Sequence, residues 1–184
     1  MSVLFLGIEL SSDIQHRLSQ YSPAQTRHIR PVSPELFHIT LHYLGEVPKE
    51  RVLASLNSHS SVQDIPGFDV RIHSLGAFGR KTQPAVLWAG VEPIMPFQRL
   101  HTALCPIVED CGVEVDSRPY HPHITLARGR WQSRRTQEDD QSIVTFFDQS
   151  LEVMPLTVSS FVLFESKLTE QGRAYPVIQR YDLA

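Results

Sequence analysis

His38-Ile39-Thr40-Leu41 returns 85 residues later as His123-Ile124-Thr125-Leu126, and the reading of this repeated tetrad decides the fold. A repeated tetrapeptide carries little by itself, but a second match stands in the same register. Val3-Leu4-Phe5-Leu6-Gly7-Ile8-Glu9-Leu10 recurs 83 residues later as Val86-Leu87-Trp88-Ala89-Gly90-Val91-Glu92-Pro93, with Val, Leu, Gly and Glu identical and the aromatic position kept in type. Between strand and tetrad each copy carries a helical pattern, over residues 11–21 and 96–111. Ser12 or Asp13 is the expected cap of the first, and Gly112 is a natural stop for the second. Two matches at nearly one offset, with a helix between them that tolerates a two-residue change, predict a duplicated β-α-β half.

The remaining segments extend this pattern. Residues 49–60 place Val52, Leu53 and Leu56 at helical spacing behind Pro48. Residues 68–78, 158–164 and 173–181 are β-branched and aromatic enough to be strands. Residues 129–150 are the least regular stretch, and their charged first part is expected to be a mobile loop. No low-complexity linker divides the chain. The expected fold is α+β: one bilobal domain over residues 1–184, with two pseudo-symmetric β-α-β-type halves and mostly antiparallel sheets around a central cleft.

Composition narrows the function classes. The 184 residues are 41% hydrophobic, 20% charged and 9% aromatic, values near the globular average that exclude disordered, collagen-like and disulfide-scaffold chains. A chain of this length buries roughly 70% of its unfolded surface. A net charge of −3, from 17 basic and 20 acidic side chains, gives no overall field to attract nucleic acid, so an anionic partner must be held by a local site. Cys105 and Cys111 read as reduced thiols. The opening apolar stretch is too short for a membrane span and contains Glu9, so a cytoplasmic monomer that does not engage the membrane is expected.

The tetrads carry the chemistry. In a strand, alternate residues share a face, so His38 with Thr40, and His123 with Thr125, point away from the core that takes Ile39, Leu41, Ile124 and Leu126. If a pseudo-twofold axis relates the halves, two imidazoles and two hydroxyls converge. One neutral histidine can then take a proton from a nucleophile while the other, protonated, gives one to a leaving oxygen. Threonine hydroxyls can hold non-bridging phosphate oxygens. Arg128, near the end of the second strand, is the local candidate for binding an anionic phosphate. The residues do not say which histidine is the acid.

Metal binding is the nearest competing chemistry, since His38 with His42, and His121 with His123, alternate on strands. No Asp or Glu completes such a set, and Cys105 and Cys111 fall on a helix, so neither a metal nor a cofactor is expected. No Gly-x-Ser-x-Gly turn, phosphate loop or dinucleotide fingerprint is present.

Two His-x-Thr-x motifs at this spacing resemble the two-histidine phosphoesterase superfamily, and in particular its RNA 2′,3′-cyclic phosphodiesterase branch, also called the 2′-5′ RNA ligase or LigT-like family. The similarity runs through Gly7-Ile8-Glu9-Leu10, Phe37 to Leu41, Leu44-Gly45-Glu46-Val47 and Val86-Leu87-Trp88. Its most specific part is Arg118-Pro119-Tyr120-His121-Pro122-His123-Ile124-Thr125-Leu126-Ala127-Arg128, followed by Phe161 to Ser166 and Gly172 to Tyr175. The resemblance implies a bilobal α+β fold and metal-independent hydrolysis of an RNA-terminal 2′,3′-cyclic phosphate to a 2′-phosphate. In some members it also implies reversible joining of RNA ends through a 2′-5′ linkage. By the same analogy His38 is the proton donor and His123 the proton acceptor.

Contacts to the rest of an RNA are read from the residues alone. Arg130, Trp131, Arg134 and Arg135 could follow a backbone or stack a base, or form a solvated loop offset by Glu138, Asp139 and Asp140. Phe37 and Tyr43 could stack a terminal base or lie in the core, and Tyr120 is open in the same way. The alternative functions are a two-histidine phosphoesterase for a small cyclic nucleotide, and a module that binds an RNA end without turnover.

Overall fold

Strand β1 (Ser2–Glu9) shows why the repeat is kept. Leu4, Leu6 and Ile8 enter the main core, whereas Phe5 joins Val162 and Phe164 in a second apolar cluster on the opposite face. The computed structural model describes residues 2–184. After β1 come α1 (Ser12–Ser19), β2 (Ile29–Pro31), β3 (His38–Val47), α2 (Lys49–Ser58), β4 (Phe68–Arg80), β5 (Gln83–Glu92) and α3 (Met95–Asp110). The chain continues through β6 (His123–Gly129), α4 (Gln137–Asp148), β7 (Met154–Val158), β8 (Ser160–Thr169), β9 (Gly172–Ala174) and β10 (Val177–Asp182).

Among the described residues the strands form one sheet in the order β10-β8-β1-β3-β6-β5-β4-β7, with β2 on β6 and β9 on β8. Every ladder is antiparallel. The path divides into two four-strand halves that meet where Ile39 of β3 faces Ile124 of β6. In each half the outer repeat strand leads through a helix into the tetrad strand: β1-α1-β3 and β5-α3-β6. The duplication is therefore a pseudo-twofold about the Ile39–Ile124 contact.

Two matched irregularities lie inside the tetrads. Consecutive β1 residues Leu6 and Gly7 pair with His42 and Thr40, which leaves Leu41 as an extra residue. In the second half Leu87 and Trp88 pair with Ala127 and Thr125, which leaves Leu126 extra. Each is a β-bulge, and a bulge reverses the face of every residue after it. The repeated glycines belong to the same design. Gly7 lies opposite Thr40, where a Cβ would stand 2.7 Å from the Ile39 carbonyl oxygen. Gly90 lies opposite His123, where a Cβ would stand 2.5 Å from the Ser74 hydroxyl.

Several expected boundaries move. Helix α1 is shorter than 11–21 and its cap is Ser11, not Ser12 or Asp13, with the Ser11 hydroxyl accepting from the Ile14 N–H at 3.3 Å. Helix α3 ends as expected, with Gly112 at φ +75° and the Val113 N–H returning to the Val108 carbonyl. The stretch 173–181 is two strands, interrupted before β10 at Tyr175-Pro176. The charged part of 129–150 is only partly loop. Thr136 and Asp139 form a reciprocal capping box that starts α4. No helix among the described residues is long and apolar enough to cross a membrane.

Candidate active site

The register about Ile39 and Ile124 places His38 across from Thr125 and Thr40 across from His123, on the face opposite the buried isoleucines. All four polar residues are half-buried. Each imidazole is held by the carbonyl two residues before it: His38 Nδ1 lies 2.7 Å from the Leu36 oxygen and His123 Nδ1 lies 2.8 Å from the His121 oxygen. A carbonyl only accepts, so both Nδ1 atoms carry the proton and each Nε2 is left as an acceptor. His38 Nε2 accepts from the Thr40 hydroxyl at 3.0 Å.

Aromatic walls surround both rings. Phe5, Tyr175 and Phe164 stand 4.9, 5.2 and 5.7 Å from His38. Phe78 stands 4.8 Å and Trp88 6.4 Å from His123. Phe5 and Trp88 occupy the same place in the two repeats. Burial among these rings is the main reason the His38 imidazole is pushed down to about 4, with the charges of Arg128 and His123 adding to the effect. His123 is lowered as well, by burial first and then by the charges of His121 and Arg128. One guanidinium acts on both histidines because the Leu126 bulge turns Arg128 to the face of Thr125. Strict alternation would have placed residues 125 and 128 on opposite faces.

A model of the 2′-5′ RNA ligase superfamily matches residues 9–169. The chain belongs to this superfamily. A protein of Aeropyrum pernix named RNA 2′,3′-cyclic phosphodiesterase is 31% identical over 153 residues, covering 82% of this chain and 84% of its own. A Geobacillus stearothermophilus protein of the same name is 30% identical over 133 residues, 70% of this chain but only 42% of that longer protein. The crystal structure of Escherichia coli LigT complexed with 3′-AMP has the same fold, with a TM-score of 0.76, 24% identity, and coverage of 100% of this chain and 98% of that one.

Within this superfamily chain the outlying candidates separate. Phe37 is 2% exposed and packs in the core, so it is not available to stack on a base, whereas Tyr43 is 63% exposed. Tyr43 holds the position that Arg128 holds in the other repeat, turned outward by the matching Leu41 bulge. Tyr120 stacks on His101 at 4.2 Å and donates its hydroxyl to the Thr40 carbonyl, which assigns it to positioning strand β3. Trp131 is tied down as well: its indole N–H donates to the Pro84 carbonyl and its ring stacks on His28. Arg135 pairs with Asp140 and donates to the Thr82 carbonyl.

The expectation that His38 and His42 share a face is overturned by the Leu41 bulge. His42 is buried on the helix side, where its Nε2–H donates to the His101 carbonyl. Ligand atoms of His42, His101 and Cys105 lie within 4.8 Å of one another, a set that suits a soft cation. The two imidazoles are stacked at 3.9 Å. Cys105 and Cys111 are free thiols.

Proposed function

We propose that this chain hydrolyses the terminal 2′,3′-cyclic phosphate of RNA to a 2′-phosphate without a metal ion, acting as a monomer in the cytoplasm. The observation that carries the reading is the pair of imidazoles, each with its Nδ1–H tied to a carbonyl and its Nε2 left as an acceptor, on two strands related by the repeat. The names of the relatives support the same substrate. Binding without turnover would need cations and hydroxyls but gives no reason for two matched imidazoles. A small cyclic nucleotide fits the histidines equally well and is separated by comparing its turnover with that of an oligonucleotide.

In the step itself His123 Nε2 takes a proton from water as its oxygen bonds to phosphorus. His38, protonated at Nε2, gives its proton to the 3′ oxygen as the P–O3′ bond breaks. Thr40, Thr125 and Arg128 hold the non-bridging oxygens, where negative charge grows. With a 5′-hydroxyl in place of water the same displacement would yield a 2′-5′ linkage, so the proposal extends to reversible ligation. Incubation in chelator with an RNA ending in 2′,3′-cyclic phosphate tests the reading: release of a 2′-phosphate is expected, and absence of turnover overturns it.

The charge environment predicts the pH profile. Both histidines titrate below 6.5 in the free protein, so the singly protonated pair, and with it kcat/KM, peaks on the acid side of neutrality. Both limbs belong to the coupled pair. Bound phosphate favours the imidazolium, so the kcat profile lies at higher pH. Arg128→Gln removes a charge that depresses both rings. The kcat/KM bell should therefore move to higher pH while its maximum falls by about 10²-fold. A fall with no shift would show that Arg128 does not face the histidines.

A further inference from the structure

Strand β6 continues past the histidines into an unusual concentration of positive charge. Arg128 lies directly opposite Arg30 of β2, and the Arg130 N–H bonds to the His28 carbonyl one step further along the same ladder. Directly opposed residues share a face, so Arg30 stands on the face of Arg128, as does Arg130 two residues on. Like charges so placed repel. Yet the side chains of Arg27, Arg30, Arg128 and Arg130 make no ion pair or hydrogen bond among the described residues. Beside them is a cavity of about 340 Å³ lined by Arg27, His28, Arg30, Arg130, Gln132 and Ser133.

Its floor is built rather than accidental. His28 is 2% exposed, its Nδ1–H donates to Asp139 at 2.8 Å, and its Nε2 accepts from the Ser133 hydroxyl at 2.8 Å. Asp139 is itself fully buried and also accepts from Thr26 and Thr136. This relay ties the Ser133 loop to the cavity floor beside three unpaired guanidiniums. Three cations match a phosphate group, for which arginine forks are the favoured ligand. Arg128 and Arg130 are about 7 Å apart along the strand, comparable to the step between successive phosphates of an extended chain.

Building on the phosphodiesterase reading, we propose that this cavity holds a backbone phosphate of the RNA strand upstream of its cyclic end, so that the substrate is an oligonucleotide rather than a mononucleotide. The terminal phosphate occupies the histidine site, and the strand then follows β6 past Arg128 into the arginine cavity. Because only a few phosphates are gripped, the chain needs no basic surface and its net charge of −3 is no obstacle.

The test compares kcat/KM for a short RNA ending in 2′,3′-cyclic phosphate with that for a nucleoside 2′,3′-cyclic phosphate, in wild type and in the triple variant Arg27→Gln, Arg30→Gln, Arg130→Gln. Wild type should favour the oligonucleotide by about 10-fold or more, and that ratio should fall towards one in the variant. The advantage should also weaken with salt, each lost phosphate contact flattening the log–log slope by about 0.7. A ratio and slope that survive in the triple variant overturn the proposal, as does an equal loss on both substrates. If wild type turns over neither substrate, the phosphodiesterase reading has failed. Anisotropy of a labelled RNA carrying a 2′-phosphate, titrated against the same two proteins with inorganic phosphate as competitor, then decides the cavity. Unchanged affinity in the variant overturns it, and weakened RNA binding supports it. A cavity that takes free phosphate but gives RNA no added affinity also overturns it.

Discussion

Replacement of His38 or of His123 by Ala is expected to reduce kcat on an RNA 2′,3′-cyclic phosphate by about 10³-fold, the scale of losing one positioned acid or base. The double variant should be much less damaged than the product of the two losses, because acid and base act in one displacement. The two single variants can be told apart. A cyclic substrate with sulfur in place of the 3′ oxygen expels a thiolate, which needs little protonation to leave. His38→Ala should recover much of its rate on that substrate and His123→Ala should not. Recovery in His123→Ala alone would exchange the two roles while preserving the site. Full activity of both single variants on the natural substrate would remove the mechanism altogether. Binding of the cyclic end should survive in each, since Thr40, Thr125 and Arg128 retain their contacts to the phosphate.

The histidine pair was legible because duplication writes the same instruction twice. The aromatic kept at Phe5 and Trp88 also proved to be a wall of the site, and the glycines kept at 7 and 90 proved to be places where a Cβ would collide with the neighbouring strand or its side chains. The bulges were not legible. An extra Leu41 or Leu126 looks like any strand leucine, and only the ladder shows that Tyr43 and Arg128 are thrown to the polar face and His42 to the core. Strict alternation therefore misplaced His42. It selected Arg128 only for its nearness to Thr125, without the bulge that turns Arg128 to the same face.

The charged segment after β6 is only partly the expected loop, for a different reason. Composition treats Glu138, Asp139 and Asp140 as equivalent solvated acids. The order Thr136-Gln137-Glu138-Asp139 has the form of a capping box, and that signal was available in the sequence. What the sequence could not carry was the partner 111 residues away, His28, which turns Asp139 from a surface charge into the centre of a buried network. With Trp131 stacked on the same imidazole, the segment takes its shape from a long-range contact rather than from local propensity.

Asp139→Ala should therefore be among the most destabilising single substitutions in the chain, costing about 3 kcal/mol or more. It would leave the Thr136 N–H, the Thr136 and Thr26 hydroxyls and the His28 Nδ1–H without their shared acceptor in a site closed to water. Asp139→Asn should cost less. Its amide oxygen can keep the bonds from Thr136 and His28, and its NH2 can donate to Thr26 if that hydroxyl turns. Denaturant unfolding of the two variants tests the order, and equal small losses would show that the network contributes little. Acid should mimic the alanine variant only at the extreme. Burial by itself would raise the Asp139 carboxyl, but hydrogen bonds from Thr26, from the Thr136 backbone, from His28 and from the Thr136 hydroxyl together hold it well below the usual carboxylate range. A group lowered on folding contributes stability that is present above the unfolded pKa of about 3.9 and lost only as pH falls towards its folded value. The arginine cavity should then persist at mildly acidic pH, where kcat/KM is expected to peak. In wild type the loop at Ser133 should stay as resistant to proteolysis at pH 5 as at pH 7, whereas in Asp139→Ala it should be cut readily at both.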